Sequence, residues 1–197
     1  DRLATYAGLL RDGVHIIGSA CEAGTGISLT DDFGTVMIYP LPYLEPDFAR
    51  VDLALGAEPL ERSHEAVISA ALSRIDEDLA RRGHPRAVVV AHAFVIDGAM
   101  TPDDVASASE RDLSVGGVQV VSAALFDGRG VDYVALGHLH RPQALGAAQR
   151  VRYAGSLLKY SFSEVDHAKS VALVELGPTG EVAVTPVALT PRRDVRI

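Results

Sequence analysis

Two histidines stand two residues apart in Gly137-His138-Leu139-His140, directly after the apolar run Val131-Asp132-Tyr133-Val134-Ala135-Leu136. Alternate residues of an extended chain project to the same side, so His138 and His140 can face one ion while Leu139 turns toward a core. Gly137 is expected to let the backbone bend out of the strand at that point. Neutral imidazole nitrogen is a good ligand for manganese, iron or zinc, and a buried histidine without a partner is costly. The alternative at this level is an exposed His-x-His in a loop.

A second apolar run, Arg86-Ala87-Val88-Val89-Val90-Ala91, also ends in a histidine, His92. Its density of β-branched residues predicts a strand buried on both faces, the kind found in parallel sheets. Ligands of open α/β sheets gather beyond the carboxyl ends of the strands, so His92 could converge with His138 and His140 across one crevice. Taken singly, His92 would read as a satisfied structural histidine. Hydrolysis of a phosphodiester usually employs two metals about 4 Å apart, flanked by carboxylates. Asp97, Glu110, Asp127 and Asp132 lie near the histidine segments, but none has a strand-end setting, and they are assigned to surface or turns. His15 is read as structural, His64 and Glu65 as helix-capping, and His84 and His167 as loop residues.

The elements that must position these side chains can be read along the chain. Residues 2–11 carry Leu3, Tyr6, Ala7, Leu9 and Leu10 at helical spacing, followed by strand-like Val14-His15-Ile16-Ile17. Ile27–Thr30 and Thr35–Tyr39 flank Asp31-Asp32-Phe33-Gly34 and predict a hairpin. The prolines of Pro40–Pro46 predict an extended linker. Ser63–Arg82 is the clearest helix: Ser63 is a fitting N-cap, Val67, Ile68, Ala71, Leu72, Ile75 and Leu79 form an apolar stripe, and Gly83 follows. A long polar loop is expected over Asp97–Gly117, a short helix over Val118–Phe126, and antiparallel strands around Tyr153–Ser156, Ser170–Leu176 and Glu181–Val184.

At 197 residues, 48% of them hydrophobic, one well-packed domain is expected rather than two. The single cysteine, Cys21, excludes an internal disulfide and a zinc ribbon. No apolar stretch approaches the roughly 20 residues of a membrane span, and a cytoplasmic location is expected. Eighteen Lys plus Arg against 26 Asp plus Glu give a formal charge of −8, the wrong sign for a nucleic-acid binder that relies on its own cations. Bound divalent ions or a basic partner would have to reverse that field locally.

Ala91–Val95, Ser109-Glu110-Arg111, Val115-Gly116-Gly117, Tyr133–Gln143 and the run Tyr153-Ala154-Gly155-Ser156-Leu157-Leu158-Lys159-Tyr160-Ser161-Phe162-Ser163-Glu164 together resemble the SbcD family of nuclease subunits. These are Mre11-like, calcineurin-type metallophosphoesterases. The GHxH element marks only the superfamily, whereas the Tyr153–Glu164 run points to SbcD. The resemblance implies an α/β fold, a calcineurin-like sandwich of mixed sheets flanked by helices. It implies that His92 and His138 bind one metal and His140 the other; Arg141 and Ser156 are read from the residues alone as phosphate contacts. The family's Asp-x-His, Gly-Asp and Gly-Asn-His-Asp motifs, the last carrying its acid histidine, do not occur in residues 1–197. The expectation is therefore a partial phosphoesterase domain, incomplete at its N-terminus, with the C-terminal cap domain absent. By the same resemblance the parent would be a Mn²⁺-dependent DNA exonuclease and endonuclease. It would be a homodimer working with an SbcC-like ATPase of the SMC type, and these residues alone would be inactive. A metallophosphatase or cyclic-nucleotide phosphodiesterase of the same superfamily, or a non-catalytic scaffold, are the alternatives.

Overall fold

The hairpin forms where alternation and turn residues predict it: β1 (Ile27–Asp31) pairs antiparallel with β2 (Gly34–Leu41), the Asp31 carboxylate accepting the Phe33 amide across the turn. In this computed structural model, residue 6 and residues 10–98 and 120–195 are described. The helix expected over residues 2–11 falls mostly outside them. So does the polar stretch beyond Gly98, with the Ser109–Arg111 and Val115–Gly117 segments.

A six-stranded mixed sheet carries the molecule, in the order β1-β2-β3-β6-β8-β7. Its four inner strands, β2, β3 (Arg86–His92), β6 (Tyr133–Gly137) and β8 (Val151–Tyr153), are mutually parallel, with β1 and β7 (Gln143–Leu145) antiparallel at the edges. The carboxyl ends of β2, β3, β6 and β8 therefore open on one side of the sheet. A short parallel pair, β4 (Val95–Ile96) with β5 (Val121–Ser122), and an antiparallel hairpin, β9 (Ser170–Leu176) with β10 (Val182–Ala188), complete the strands. The chain has the expected α/β class with a mixed sheet.

Helix α2 (His64–Arg81) matches its sequence pattern closely. The Ser63 hydroxyl accepts the Ala66 amide as N-cap, and every residue of the apolar stripe is buried. That stripe covers the face of the sheet formed by Met37, Tyr39 and Leu41 of β2, Ala87, Val89 and Ala91 of β3, and Val134 and Leu136 of β6. One polar tie crosses this interface: buried Asp78 of α2 accepts the Tyr39 hydroxyl at 2.9 Å and pairs with Arg81 and Arg82. Burial, then the hydrogen bond to the carboxylate, push the Tyr39 hydroxyl far above the ordinary phenol range.

Several expectations are corrected. Val14–Ile17 forms no strand. The chain there runs into a short 3-10 turn, Ala20–Glu22, whose capping box gives the Gly18 and Ser19 amides to the Glu22 carboxylate instead of to a ladder. Pro40 lies inside β2 rather than in a linker. β1 has ended opposite Ile38, so the missing amide of Pro40 faces an unpaired side while β3 pairs on the other. A seven-residue helix, α1 (Pro46–Asp52), starts where more linker is expected, because Pro46 sits in its first turn, where no amide is required. Val118–Phe126 resolves, over its described part, into β5 and a 3-10 turn (Ala123–Phe126) rather than a helix. β8 runs parallel to β6, not antiparallel, whereas β9 and β10 pair antiparallel as expected. β3 is fully buried on one face and only partly on the other, where Arg86 is buried, Val88 half-buried and Val90 43% exposed.

Candidate metal centre

The carboxyl ends of β3 and β6 bring His92 and His138 together. His92 ends β3, opposite Gly137 in the parallel register, and His138 follows immediately. His92 Nε2 and His138 Nδ1 face each other at 3.3 Å, with the rings edge to face at 5.3 Å between centroids. A Cβ on Gly137 would stand 3.2 Å from His92 Nδ1, so a larger residue there would push the His92 ring by a few tenths of an ångström. The unusual backbone falls one residue later than expected, on His138 itself, at φ 133°. Non-glycine residues held in that region cost about 1–3 kcal/mol and persist where the surroundings impose them. Here the His138 ring stacks on Phe94 at 5.4 Å while its Nδ1 turns to His92.

A row of rings continues outward from His92. Tyr43, just past β2, meets it edge-on at 6.0 Å and lies 5.5 Å from His64, with the Tyr43 hydroxyl 3.4 Å from His64 Nε2. His64 is buried at the first position of α2 and does not cap it, since Ser63 does. Burial by these neighbours holds both His64 and His92 below the ordinary imidazole pKa, Glu45 opposing in part at His64. Neutral imidazole, the ligating form, is thereby favoured at His92.

Two nitrogens each about 2.1 Å from one ion, at angles between a right angle and a tetrahedral one, lie about 3.0 to 3.4 Å apart. The His92–His138 separation of 3.3 Å falls in that interval. Two nitrogens do not complete a coordination sphere. Among the described residues no group of three or more His, Cys, Asp or Glu side chains is disposed to hold an ion.

His140 is turned to other partners. Leu139 is buried between the two histidines, and the His140 ring lies with Nδ1 3.0 Å from the Glu164 carboxylate and its centroid 5.4 Å from that of the tilted Tyr160 ring. Glu164 is wholly buried, and Lys169, also buried, donates to it at 2.7 Å. Burial would raise the Glu164 pKa, but hydrogen bonds from Lys169 and His140 prevail and hold it below the carboxylate range. An ionised carboxylate only accepts, which puts a ring proton on His140 Nδ1, the nitrogen that faces it. Reading the sequence for strand-end carboxylates misses Glu164, although it closes the Tyr153–Glu164 run.

Ser156 and Arg141 are placed differently. The Ser156 hydroxyl donates to the Leu158 carbonyl at 2.7 Å and accepts from Lys169 at 2.8 Å, so a phosphate oxygen would have to displace Leu158. The Arg141 side chain is exposed, with no ion-pair partner among the described residues. Of the nearby carboxylates, Asp132 accepts the Ala87 amide and Asp97 the Gly98 and Gly146 amides, both structural uses.

No family model matches the chain. It is 34% identical over 197 residues, 96% of its length, to the SbcD subunit of the nuclease SbcCD from Bacillus subtilis (strain 168), of which it covers 47%. The chain is SbcD-like. A second relative of the same name, from Staphylococcus epidermidis (strain ATCC 12228 / FDA PCI 1200), is 36% identical over 110 residues, 56% of the chain and 27% of that protein. The SbcD-like chain thus spans less than half the length of either of these two relatives.

Proposed function

We propose that this SbcD-like chain contributes metal ligands to a divalent-cation-dependent DNA nuclease that cleaves phosphodiester bonds exo- and endonucleolytically. The observation that carries the reading is the facing of His92 Nε2 and His138 Nδ1 at 3.3 Å, a separation suited to one shared ion. His140, its Nδ1 held by Glu164, would serve a neighbouring ion through Nε2. The donor type suits Mn²⁺ and related metals, while the donor count requires further ligands from outside these residues. In this reading residues 1–197 are part of a phosphoesterase domain. The Asp-containing motifs, the acid histidine and a DNA-facing cap would come from sequence beyond it. Ions bound there supply Lewis-acid activation of water and counter-charge for a phosphodiester. The protein's part is to orient three imidazoles beyond the carboxyl ends of β3 and β6. With a net charge of −8, DNA affinity would depend on those ions and on a partner. An SbcC-like ATPase fits that role, in a dimeric assembly within the cytoplasm. No helix among the described residues is long and apolar enough to cross a membrane.

The test is Mn²⁺-dependent cleavage of double- and single-stranded DNA by the full-length protein and by His138→Ala. Loss of cleavage by about 10²-fold or more, with folding retained, is expected for removal of a ligand. Wild-type activity in the variant, or activity restricted to phosphomonoesters, overturns the reading.

A further inference from the structure

We propose that Glu164 is a positioning residue for His140, fixing its ring so that Nε2 is presented for metal binding, and that Lys169 holds Glu164 and the His140 backbone in register for that task. This rests on reading His140 as a ligand.

Glu164 and Lys169 form an ion pair with side chains 0% and 2% exposed. Such a buried pair is a poor source of net stability, because desolvation of both charges offsets their attraction and an apolar replacement is often as stable. What the pair does geometrically is specific. All three donors of the Lys169 ammonium are used: Glu164 Oε2 at 2.7 Å, the His140 carbonyl at 2.9 Å and Ser156 Oγ at 2.8 Å. Glu164 turns its other oxygen to His140 Nδ1 at 3.0 Å, with the Ser161 hydroxyl a more distant donor at 3.5 Å. One ammonium and one carboxylate therefore grip both the ring and the backbone of the same histidine. The rest of the Tyr153–Glu164 run tightens the hold. The Ser156 amide donates to the His140 carbonyl at 3.1 Å, and a Cβ at Gly155, φ +81°, would stand 2.7 Å from that oxygen. At its other end, buried Tyr153 accepts the Val95 amide and donates to the Ala93 carbonyl, both at 2.7 Å, steadying the turn after His92. A carboxylate on the far nitrogen of a ligating imidazole fixes the tautomer and the ring's orientation, and its loss typically lowers metal affinity about 10- to 100-fold.

Glutamine at 164 separates this role from simple packing. It keeps the shape but has one acceptor oxygen, which the Lys169 ammonium claims by the stronger charge-assisted bond. Its amide NH₂ then faces Nδ1 and drives the ring proton to Nε2, the atom needed by a metal. In the metal-free full-length protein labelled with ¹⁵N-histidine, NMR is expected to find His140 protonated on Nδ1, and on Nε2 in Glu164→Gln. Titration with Mn²⁺ is expected to show about a 10- to 100-fold weaker site in Glu164→Gln. The double variant Glu164→Gln/Lys169→Met frees the glutamine oxygen for Nδ1 and is expected to restore the tautomer. A bare Nδ1 in the unsubstituted protein overturns the proposal, and that measurement needs no variant to fold. An unchanged tautomer in Glu164→Gln overturns it as well. A switched tautomer with unchanged Mn²⁺ affinity supports the positioning but overturns His140 as a ligand.

Discussion

His138 holds a conformation that a non-glycine residue avoids, and it does so beside the atom the site needs. Its φ of 133° lets Nδ1 meet His92 while the ring stacks on Phe94. Replacing it with glycine removes the strain, about 1–3 kcal/mol, and also the ring contact, worth about 0.5–1.5 kcal/mol, so the two should nearly cancel. His138→Gly is therefore expected to unfold in denaturant within about 1 kcal/mol of the parent while losing metal binding. A loss of several kcal/mol would make the ring structural instead. His64 gives a second prediction. Its folded pKa lies below the ordinary 6.5, with burial as the main cause. Well above pH 6.5 it is neutral whether folded or unfolded, and stability is unaffected. Below that, the unfolded chain takes up a proton that the folded chain resists, so stability falls as pH drops toward the folded pKa. His64→Gln should accordingly lose less thermal stability than the parent between pH 7.5 and pH 5.5. A parallel decline in both proteins would rule His64 out as a contributor. At this scale the three histidines are legible because strand-end imidazoles after apolar runs are a local pattern. Glu164 is not, since its relation to His140 spans 24 residues and depends on how a loop returns to the sheet.

Elements whose signals are local match their sequence patterns: α2 with its Ser63 cap, the β1–β2 hairpin, β3 and β6. Those set by pairing do not. Nothing in Val14–Ile17 announces that Glu22 will take the following amides, and nothing near Pro40 announces that β1 begins only at Ile27 and leaves that side open. The direction of β8 is likewise a tertiary outcome, because three residues, Val151–Tyr153, pair parallel with β6 on one side and antiparallel with β7 on the other. Short though it is, β8 ends in the side chain that joins it to the histidine-bearing turn. Tyr153→Phe leaves the Val95 amide without its acceptor at 2.7 Å and takes the donor from the Ala93 carbonyl. For buried groups that costs about 1–3 kcal/mol, expected as a lower denaturation midpoint with an unchanged slope. A neutral outcome would mean that water enters and replaces the hydroxyl.

Across the whole molecule, the sheet is apolar on a face that the described residues only partly cover. Strand β3 is rich enough in valine to predict burial on both sides, yet Val90 is 43% exposed and Val88 half-buried. The β9–β10 hairpin is in a similar position, with Val171 at 38%, Leu173 at 54% and Val187 at 44% exposure on its outer face. Parallel strands belong under cover on both faces, and a lone two-stranded hairpin is marginal in water. The valine pattern is thus a legible demand for cover that the described residues do not meet. On the proposed reading the same shortfall governs chemistry, since three imidazoles and Glu164 would leave a dinuclear site without bridging and flanking carboxylates. Residues 1–197 expressed by themselves are expected to bind the dye ANS, to associate with rising concentration and to leave DNA uncut at any Mn²⁺ level. A full-length protein should show neither of the first two and cleave. Robust Mn²⁺-dependent cleavage by residues 1–197, abolished by His140→Ala, would show instead that the ligands present here suffice. The requirement for a second half of the site would then have to be abandoned.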